Sequence, residues 1–143
     1  MFVLDSDHIS ILQRASGAEY AALMQRMLRL AESDFYWSII SFHEQVNGWH
    51  AHLQRSKRDI SRIVTGYRRF ENILRDFSQR QVLPFDLEAA DTFTQLAQAR
   101  IRVGVMDLRI AAIALSRDFT LLTRNFVDFS RVPRLKLEDW TLP

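Results

Sequence analysis

Residues 2–7 read Phe-Val-Leu-Asp-Ser-Asp, three apolar side chains that stop at an acidic one. A short apolar run with such an end predicts a buried strand, here Phe2 to Leu4, followed at once by Asp5. Further strands are predicted at residues 35–40, where aromatic and β-branched side chains cluster, and at residues 82–83, 119–122 and 134–137. The chain therefore contains several short strands spread over its whole length.

The segments between these strands space their apolar side chains three and four residues apart, which is typical of helices. Helices are predicted at residues 8–31 with a break near Ser16-Gly17, and at residues 41–55, 60–77, 86–100 and 106–117. Strand–helix alternation predicts an α/β fold: a single domain over residues 1–143 with a doubly wound, mostly parallel sheet flanked by helices. Such sheets bind ligands beyond the carboxyl ends of their strands.

Length and composition narrow the classes of function. The chain has 143 residues, which suits one domain, and no cysteine. The lack of cysteine excludes disulfides, thiolate zinc sites, iron–sulfur clusters and a cysteine nucleophile. The first residues lack the pattern of a signal peptide, and the longest apolar run, residues 110–115, is too short to cross a bilayer. We therefore expect a cytoplasmic protein without membrane contact.

The small net charge of +2 hides an uneven distribution of charge. Residues 55–80 hold eight basic and three acidic side chains, and nearly all basic residues of the chain are arginines. This basic segment fits three interpretations: a solvated helix face, a path for the RNA backbone, or a groove for a protein partner. Arginine favours phosphate and carboxylate partners because its planar guanidinium donates two parallel hydrogen bonds.

Acidic and amide side chains stand where predicted strands end or helices begin. They are Asp5 after the first strand, Glu44 after the second, Asp107 before the fourth, and Asn125 and Asp128 after the fourth. If they converge at the carboxyl edge of the sheet, their charges repel one another and call for a cation. Oxygen ligands favour Mg²⁺ or Mn²⁺.

Each of these positions also has a purely local explanation. Ser41 and Glu44 fit a capping box, in which Glu44 would bond the Ser41 amide. Asp107 in a first helical turn complements the helix dipole, and Asp5 or Asp7 can cap a helix. Asn125 and Asp128 suit a turn. Only the ordered set of residues favours a shared site.

The chain resembles the PIN-domain family, and within it the VapC-type toxins of bacterial toxin–antitoxin pairs. The resemblance covers nearly the whole chain and rests on six motifs in order. They are Val3-Leu4-Asp5-Ser6-Asp7, residues 38–44 (Ser-Ile-Ile-Ser-Phe-His-Glu), residues 83–86 (Leu-Pro-Phe-Asp), residues 101–112 (Ile-Arg-Val-Gly-Val-Met-Asp-Leu-Arg-Ile-Ala-Ala), residues 122–125 (Leu-Thr-Arg-Asn), and residues 129–133 with 137–140.

The resemblance implies a Mg²⁺-dependent endoribonuclease, with Mn²⁺ as an alternative ion. Its catalytic residues would be Asp5, Glu44, Asp107 and Asn125, and the first three would be metal ligands. Ser6, which replaces a common Thr, Asp7, which replaces a common Asn, and Asp128 would surround them. Arg100, Arg102, Arg109 and Arg124 are the candidates for RNA contact. The implied partners are an RNA substrate, a cognate antitoxin and a second copy of the chain in a homodimer or higher oligomer.

Two other functions compete with this interpretation. One is a catalytically silent PIN-like module that binds RNA or protein, although such a module has no need for clustered carboxylates. The other is a receiver-type phosphoacceptor domain, for which Lys136 is poorly placed. A zinc-protease motif at residues 43–47 is excluded because Asn47 stands where the second histidine belongs.

Overall fold

Five short strands form one sheet in the computed structural model, which describes residues 1–143. The strands are β1 (Phe2–Leu4), β2 (Phe35–Ser38), β3 (Val82–Leu83), β4 (Thr120–Leu122) and β5 (Lys136–Glu138). They lie in the order β3-β2-β1-β4-β5, and every neighbouring pair is parallel. The predicted parallel sheet is confirmed.

Seven helices connect the strands, together with a 3₁₀ turn at Glu32–Asp34. They are α1 (Ser6–Arg14), α2 (Ala18–Met27), α3 (Ile39–Ser56), α4 (Ile60–Ser78), α5 (Leu87–Gln98), α6 (Val105–Ser116) and α7 (Phe126–Phe129). The predicted break between α1 and α2 falls at Ala15 and Gly17, which both have positive φ angles. None of the helices is long and apolar enough to cross a membrane.

The sheet separates two apolar clusters because successive side chains of a strand point to opposite faces. Val3 and Leu121 pack in the cluster that α5 and α6 complete, whereas Leu4 and Leu122 pack in the cluster that α1, α2 and α4 complete. All four side chains are fully buried. Helices therefore cover both faces of the sheet, as the alternation of elements predicts.

The boundary between β2 and α3 differs from the prediction. We expected a strand to residue 40 and a helix from Ser41, but β2 ends at Ser38 and α3 begins at Ile39. Ser38 caps the helix, since its Oγ accepts a hydrogen bond from the Ser41 amide at 3.1 Å. The last strand pairing, Ser38 with Leu83, ends at the same residue. The apolar pair Ile39-Ile40 fits a strand equally well, so the cap decides the boundary.

The predicted turn after β4 contains the one-turn helix α7. Asn125 caps it, with Oδ1 accepting a hydrogen bond from the Asp128 amide at 3.3 Å. Four residues are too few to show helical periodicity. Asn125 and Asp128 are residue types typical of turns, so the sequence predicts a turn rather than a helix here.

The strand order brings three strand ends together. The chain moves from β1 to β2 and β3 on one side and returns to β4 on the other side of β1. The carboxyl ends of β1 and β4 therefore lie at the point where the winding reverses, which is where parallel sheets bind ligands. Asp5, the start of α3 and Thr123 all lie at this edge.

Candidate active site

Asp5 is the most enclosed acid of the carboxyl edge. It follows β1, caps α1 and is 6% exposed. Its Oδ1 accepts a hydrogen bond from the Ser6 amide at 2.7 Å, and its Oδ2 accepts one from Thr123 Oγ1 at 2.8 Å. The amide of Asp5 donates to the carbonyl of Leu122, which fixes β1 against β4. Neither carboxylate oxygen can turn away from the edge without losing a partner.

The environment of Asp5 disfavours its charged form. Burial and the neighbouring charge of Asp7 raise the pKa of Asp5 to about 7, although hydrogen bonds from Thr123 and Ser6 oppose the rise. Asp107 adds a further repulsion. A carboxyl group with such a pKa is partly protonated at neutral pH, and a bound cation would favour its ionised form.

Glu44 reaches the same edge from the second turn of α3. Its Oε1 accepts a hydrogen bond from Ser6 Oγ at 2.9 Å, and Ser6 Oγ also lies 3.1 Å from Ser41 Oγ. The alternative capping box is therefore wrong: the Ser41 amide donates to Ser38, and Glu44 points to α1 instead. Ser6 thus connects the acid that follows β1 with the acid that follows β2.

Asp107 lies in the first turn of α6 and is half-buried. Burial raises the pKa of Asp107, and the charges of Glu44, Asp128 and Asp7 raise it further. No hydrogen bond offsets this shift. The structure therefore brings Asp107 within electrostatic reach of acids from three other elements and leaves its carboxylate free to accept a ligand.

The fourth predicted position, Asn125, is fixed by its neighbours. Its Nδ2 donates to Asp128 Oδ2 at 3.0 Å, and its amide donates to Thr123 Oγ1 at 3.0 Å. Thr123 is fully buried and bonds both Asp5 and Asn125. Thr123 is not among the predicted site residues, although a polar residue directly after a buried strand at this edge is a usable signal.

The guanidinium groups of the arginines predicted to contact RNA lie outside this hydrogen-bond network. These arginines are Arg100, Arg102, Arg109 and Arg124. The Arg124 guanidinium pairs with Glu19 at 3.0 Å, and that of Arg109 lies 5.9 Å from the centre of the Phe93 ring. The other two are exposed in the α5–α6 connection. None of the four forms an ion pair with a predicted catalytic acid.

The donor set of the edge fits a hard divalent cation. Its free or partly free donors are carboxylate oxygens, and burial together with the charge of Asp7 raises the pKa values of Asp5 and Asp107. No group of three or more His, Asp or Glu side chains is already arranged to hold an ion. The geometry thus supplies suitable ligands close to one another, and the set would have to draw together around a bound ion.

A large cavity of the chain lies elsewhere. It has a volume of about 660 Å³ and lies between α2, the end of α4 and the start of β2. Leu12, Met24, Phe35 and Trp37 line it, and none of the predicted catalytic residues does. The predicted site therefore does not coincide with this cavity.

Comparisons with known proteins find sequence similarity to VapC ribonucleases. Over 60 residues, 39% of the chain and 45% of the relative, it is 40% identical to Ribonuclease VapC of Rickettsia bellii. Over 67 residues, 44% of the chain and 51% of the relative, it is 36% identical to the tRNA(fMet)-specific endonuclease VapC of Salmonella typhimurium. These matches thus span about half of each curated relative.

A solved structure extends the likeness to the whole chain. The DNA-bound VapBC structure from Salmonella typhimurium superposes with a TM-score of 0.72 and 26% identity over 97% of both chains. The chain is VapC-like in sequence and in fold. This confirms the resemblance inferred from the sequence motifs. No protein-family model matches the chain.

Proposed function

We propose that the chain is a metal-dependent endoribonuclease of the VapC kind. The observation that carries this proposal is the convergence of Asp5, Glu44 and Asp107 from β1, α3 and α6, where burial and then the charges of neighbouring acids raise the pKa values of Asp5 and Asp107. Such a cluster of buried acids costs stability unless a cation or a reaction uses it. The names of the curated relatives, ribonuclease and tRNA-specific endonuclease, support RNA as the substrate.

In this proposal Asp5, Asp107 and Glu44 hold Mg²⁺ or Mn²⁺. A bound divalent ion supplies a water of lowered pKa and neutralises charge that develops on the phosphate. Thr123 and the Ser6 amide orient the Asp5 carboxylate, and Ser6 Oγ orients that of Glu44. Asn125, held by Asp128, borders the place where the substrate would lie.

The test is cleavage of RNA with and without Mg²⁺ or Mn²⁺. Asp107→Asn keeps the size of the side chain but removes its charge, and we expect at least a roughly 100-fold loss of rate, since even outer ligand partners are worth about 10–100-fold. EDTA should abolish cleavage. Asp91→Asn is the matched control because Asp91 is an exposed acid of α5 that does not contribute to the raised pKa of Asp5 or Asp107.

Two results would contradict the proposal. Cleavage that survives both EDTA and Asp107→Asn would show that another site is responsible. RNA binding without cleavage under any metal would favour the alternative function, a silent module that binds RNA or protein.

The proposed partners follow from the same likeness. The solved structures with this fold include VapBC complexes and a toxin–antitoxin complex from Klebsiella pneumoniae. We therefore propose that a cognate antitoxin restrains the enzyme in the cytoplasm, and that the chain forms a homodimer or higher oligomer. Expression of the chain alone should arrest growth, and co-expression with the protein encoded beside it should relieve that arrest. Light scattering of the purified chain should give at least twice its 16.8 kDa mass.

A further inference from the structure

A fully buried histidine, His8, lies in the first turn of α1 next to the predicted site. Its Nδ1 is 2.7 Å from Asp7 Oδ1, and its Nε2 is 3.3 Å from the backbone nitrogen of Trp140. An amide can only donate, so Nε2 accepts this bond and carries no proton. Nδ1 therefore carries the ring proton and donates a hydrogen bond to Asp7 Oδ1.

The second oxygen of Asp7 holds the loop between β4 and α7. Asp7 Oδ2 accepts a hydrogen bond from the Arg124 amide at 2.8 Å. Together these bonds form a chain that runs from the Trp140 amide through His8 and Asp7 to the Arg124 amide. These hydrogen bonds connect α1 to the C-terminal segment, residues 139–143 after β5, and to the β4–α7 loop, residues 123–125.

The two neighbours of Arg124 in sequence, Thr123 and Asn125, both contact or border the predicted site. Thr123 donates to Asp5, and Asn125 caps α7 and borders the carboxyl edge. Burial raises the pKa of Asp7, but hydrogen bonds from His8 and the Arg124 amide outweigh it and lower the pKa below its ordinary value. The two carboxylate oxygens of Asp7 thus each accept a hydrogen bond, one from His8 on α1 and one from the loop after β4.

We propose that His8 and Asp7 are positioning residues that hold residues 123–125 in place against Asp5, an inference that rests on the ribonuclease function proposed above. His8 fixes the direction of the Asp7 carboxylate, and Asp7 fixes the Arg124 amide. The pair acts through the loop rather than on the substrate. Partners of this kind typically change activity by about 10–100-fold in metal-dependent sites.

Two substitutions of His8 separate its two hydrogen bonds. His8→Asn places an amide near the position of Nδ1 and retains a donor for Asp7, whereas His8→Gln reaches the position of Nε2 and retains an acceptor for Trp140. Each variant leaves one buried group without its partner, so both should lose similar stability. We expect His8→Gln to lower kcat about tenfold more than His8→Asn, with the loss in kcat rather than in KM.

A control removes a buried hydroxyl far from the edge. Ser56 near the end of α3 is 3% exposed, and its Oγ donates to the His52 carbonyl at 2.7 Å. Ser56→Ala should reduce stability without changing kcat. Equal losses of kcat in the two His8 variants, or a larger loss in His8→Asn, would overturn the positioning role.

A second measurement judges the inference without an activity assay. NMR of the wild-type chain should show His8 protonated at Nδ1, and the Arg124 amide should exchange slowly in the wild type and in His8→Asn but faster in His8→Gln. A proton on Nε2, or unchanged protection of Arg124 in His8→Gln, would refute it. A wild type that cleaves no RNA would instead refute the proposed function and leave this measurement to decide the positioning role.

Discussion

The acidic carboxyl edge and the basic segment of residues 55–80 differ in how far their charged side chains are exposed to water. The acids of the edge are buried or half-buried, and burial together with neighbouring acids raises the pKa values of Asp5 and Asp107. All eight basic side chains of the segment are exposed, and only Arg80 forms an ion pair, with Glu32. A charge in contact with water costs little folding free energy and needs no partner. A buried charge costs much more and needs a partner of opposite charge or a hydrogen-bond donor.

This difference explains why the two regions carry unequal weight in the proposed function. The edge acids destabilise the fold unless they are used, and they therefore indicate a function. The exposed arginines are compatible with solvation alone, as well as with RNA or a protein partner. The following predictions test the contrast, beginning with the largest expected effect.

The largest effect concerns Asp5 and pH. Its pKa is about 7 in the folded chain, against 3.8 for an ordinary Asp. The folded state therefore holds more protons than the unfolded state between these values, and its stability falls as pH rises from 4 to 7. The contribution of Asp5 to this fall is up to about 4 kcal/mol. Urea denaturation in EDTA should show it, and Asp5→Asn should remove it.

The difference in free energy of unfolding between Asp5→Asn and the wild type should change between pH 4.5 and pH 8. An equal difference at both pH values would show that Asp5 does not have a raised pKa in the folded chain. Asp91→Asn, which changes an exposed acid, should follow the pH dependence of the wild type. Added Mg²⁺ should reduce the fall in the wild type, because a bound cation favours the ionised carboxylate.

A smaller effect is expected at Ser6. Ser6→Ala removes the donor to Glu44 Oε1 and should lower the cleavage rate about tenfold. Ser6→Thr keeps the hydroxyl and should recover most of the rate. Ser10→Ala is the control on the same helix, since Ser10 donates only to the Ser6 carbonyl. A rate in Ser6→Ala equal to that in Ser10→Ala would remove Ser6 from the site.

The smallest effect is expected in the basic segment. Arg68→Ala and Arg75→Ala should each change the free energy of unfolding by less than about 0.5 kcal/mol, because both side chains are exposed. RNA binding measured against salt then distinguishes the interpretations of the segment. A slope of log K against log salt concentration that is reduced by about 0.7 per arginine would indicate phosphate contact. An unchanged slope would leave a solvated face or a groove for a protein partner.

Local signals were sufficient for most elements of the fold. The apolar run 2–4, the aromatic run that starts at Phe35, the cap at Asp86 and the helical periodicity of residues 60–77 all correspond to elements of the structure. The start of α3 was wrong because Ser38 and Ser41 are both able to cap a helix. Which of them does so depends on where β2 stops pairing with β3.

The site was only partly accessible from the sequence. The alternation of elements predicted that the residues after β1, β2 and β4 meet at one edge, and the structure places Asp5, Glu44 and Asn125 there. The connecting residues Thr123 and His8 were not identified. A polar residue after a strand and a histidine in a helix have many local explanations, and only their partners distinguish them.

By itself the sequence determined the strand–helix alternation, the lack of thiolate ligands and the positions of the acids relative to the strands. These depend on side-chain type and spacing along the chain. The tertiary structure decided which acids are enclosed, which hydroxyls and amides bind them, and how His8 and Asp7 connect the C-terminal segment to the β4–α7 loop. Burial and hydrogen bonding join residues more than a hundred positions apart, such as Asp5 and Thr123, and no local pattern encodes that proximity.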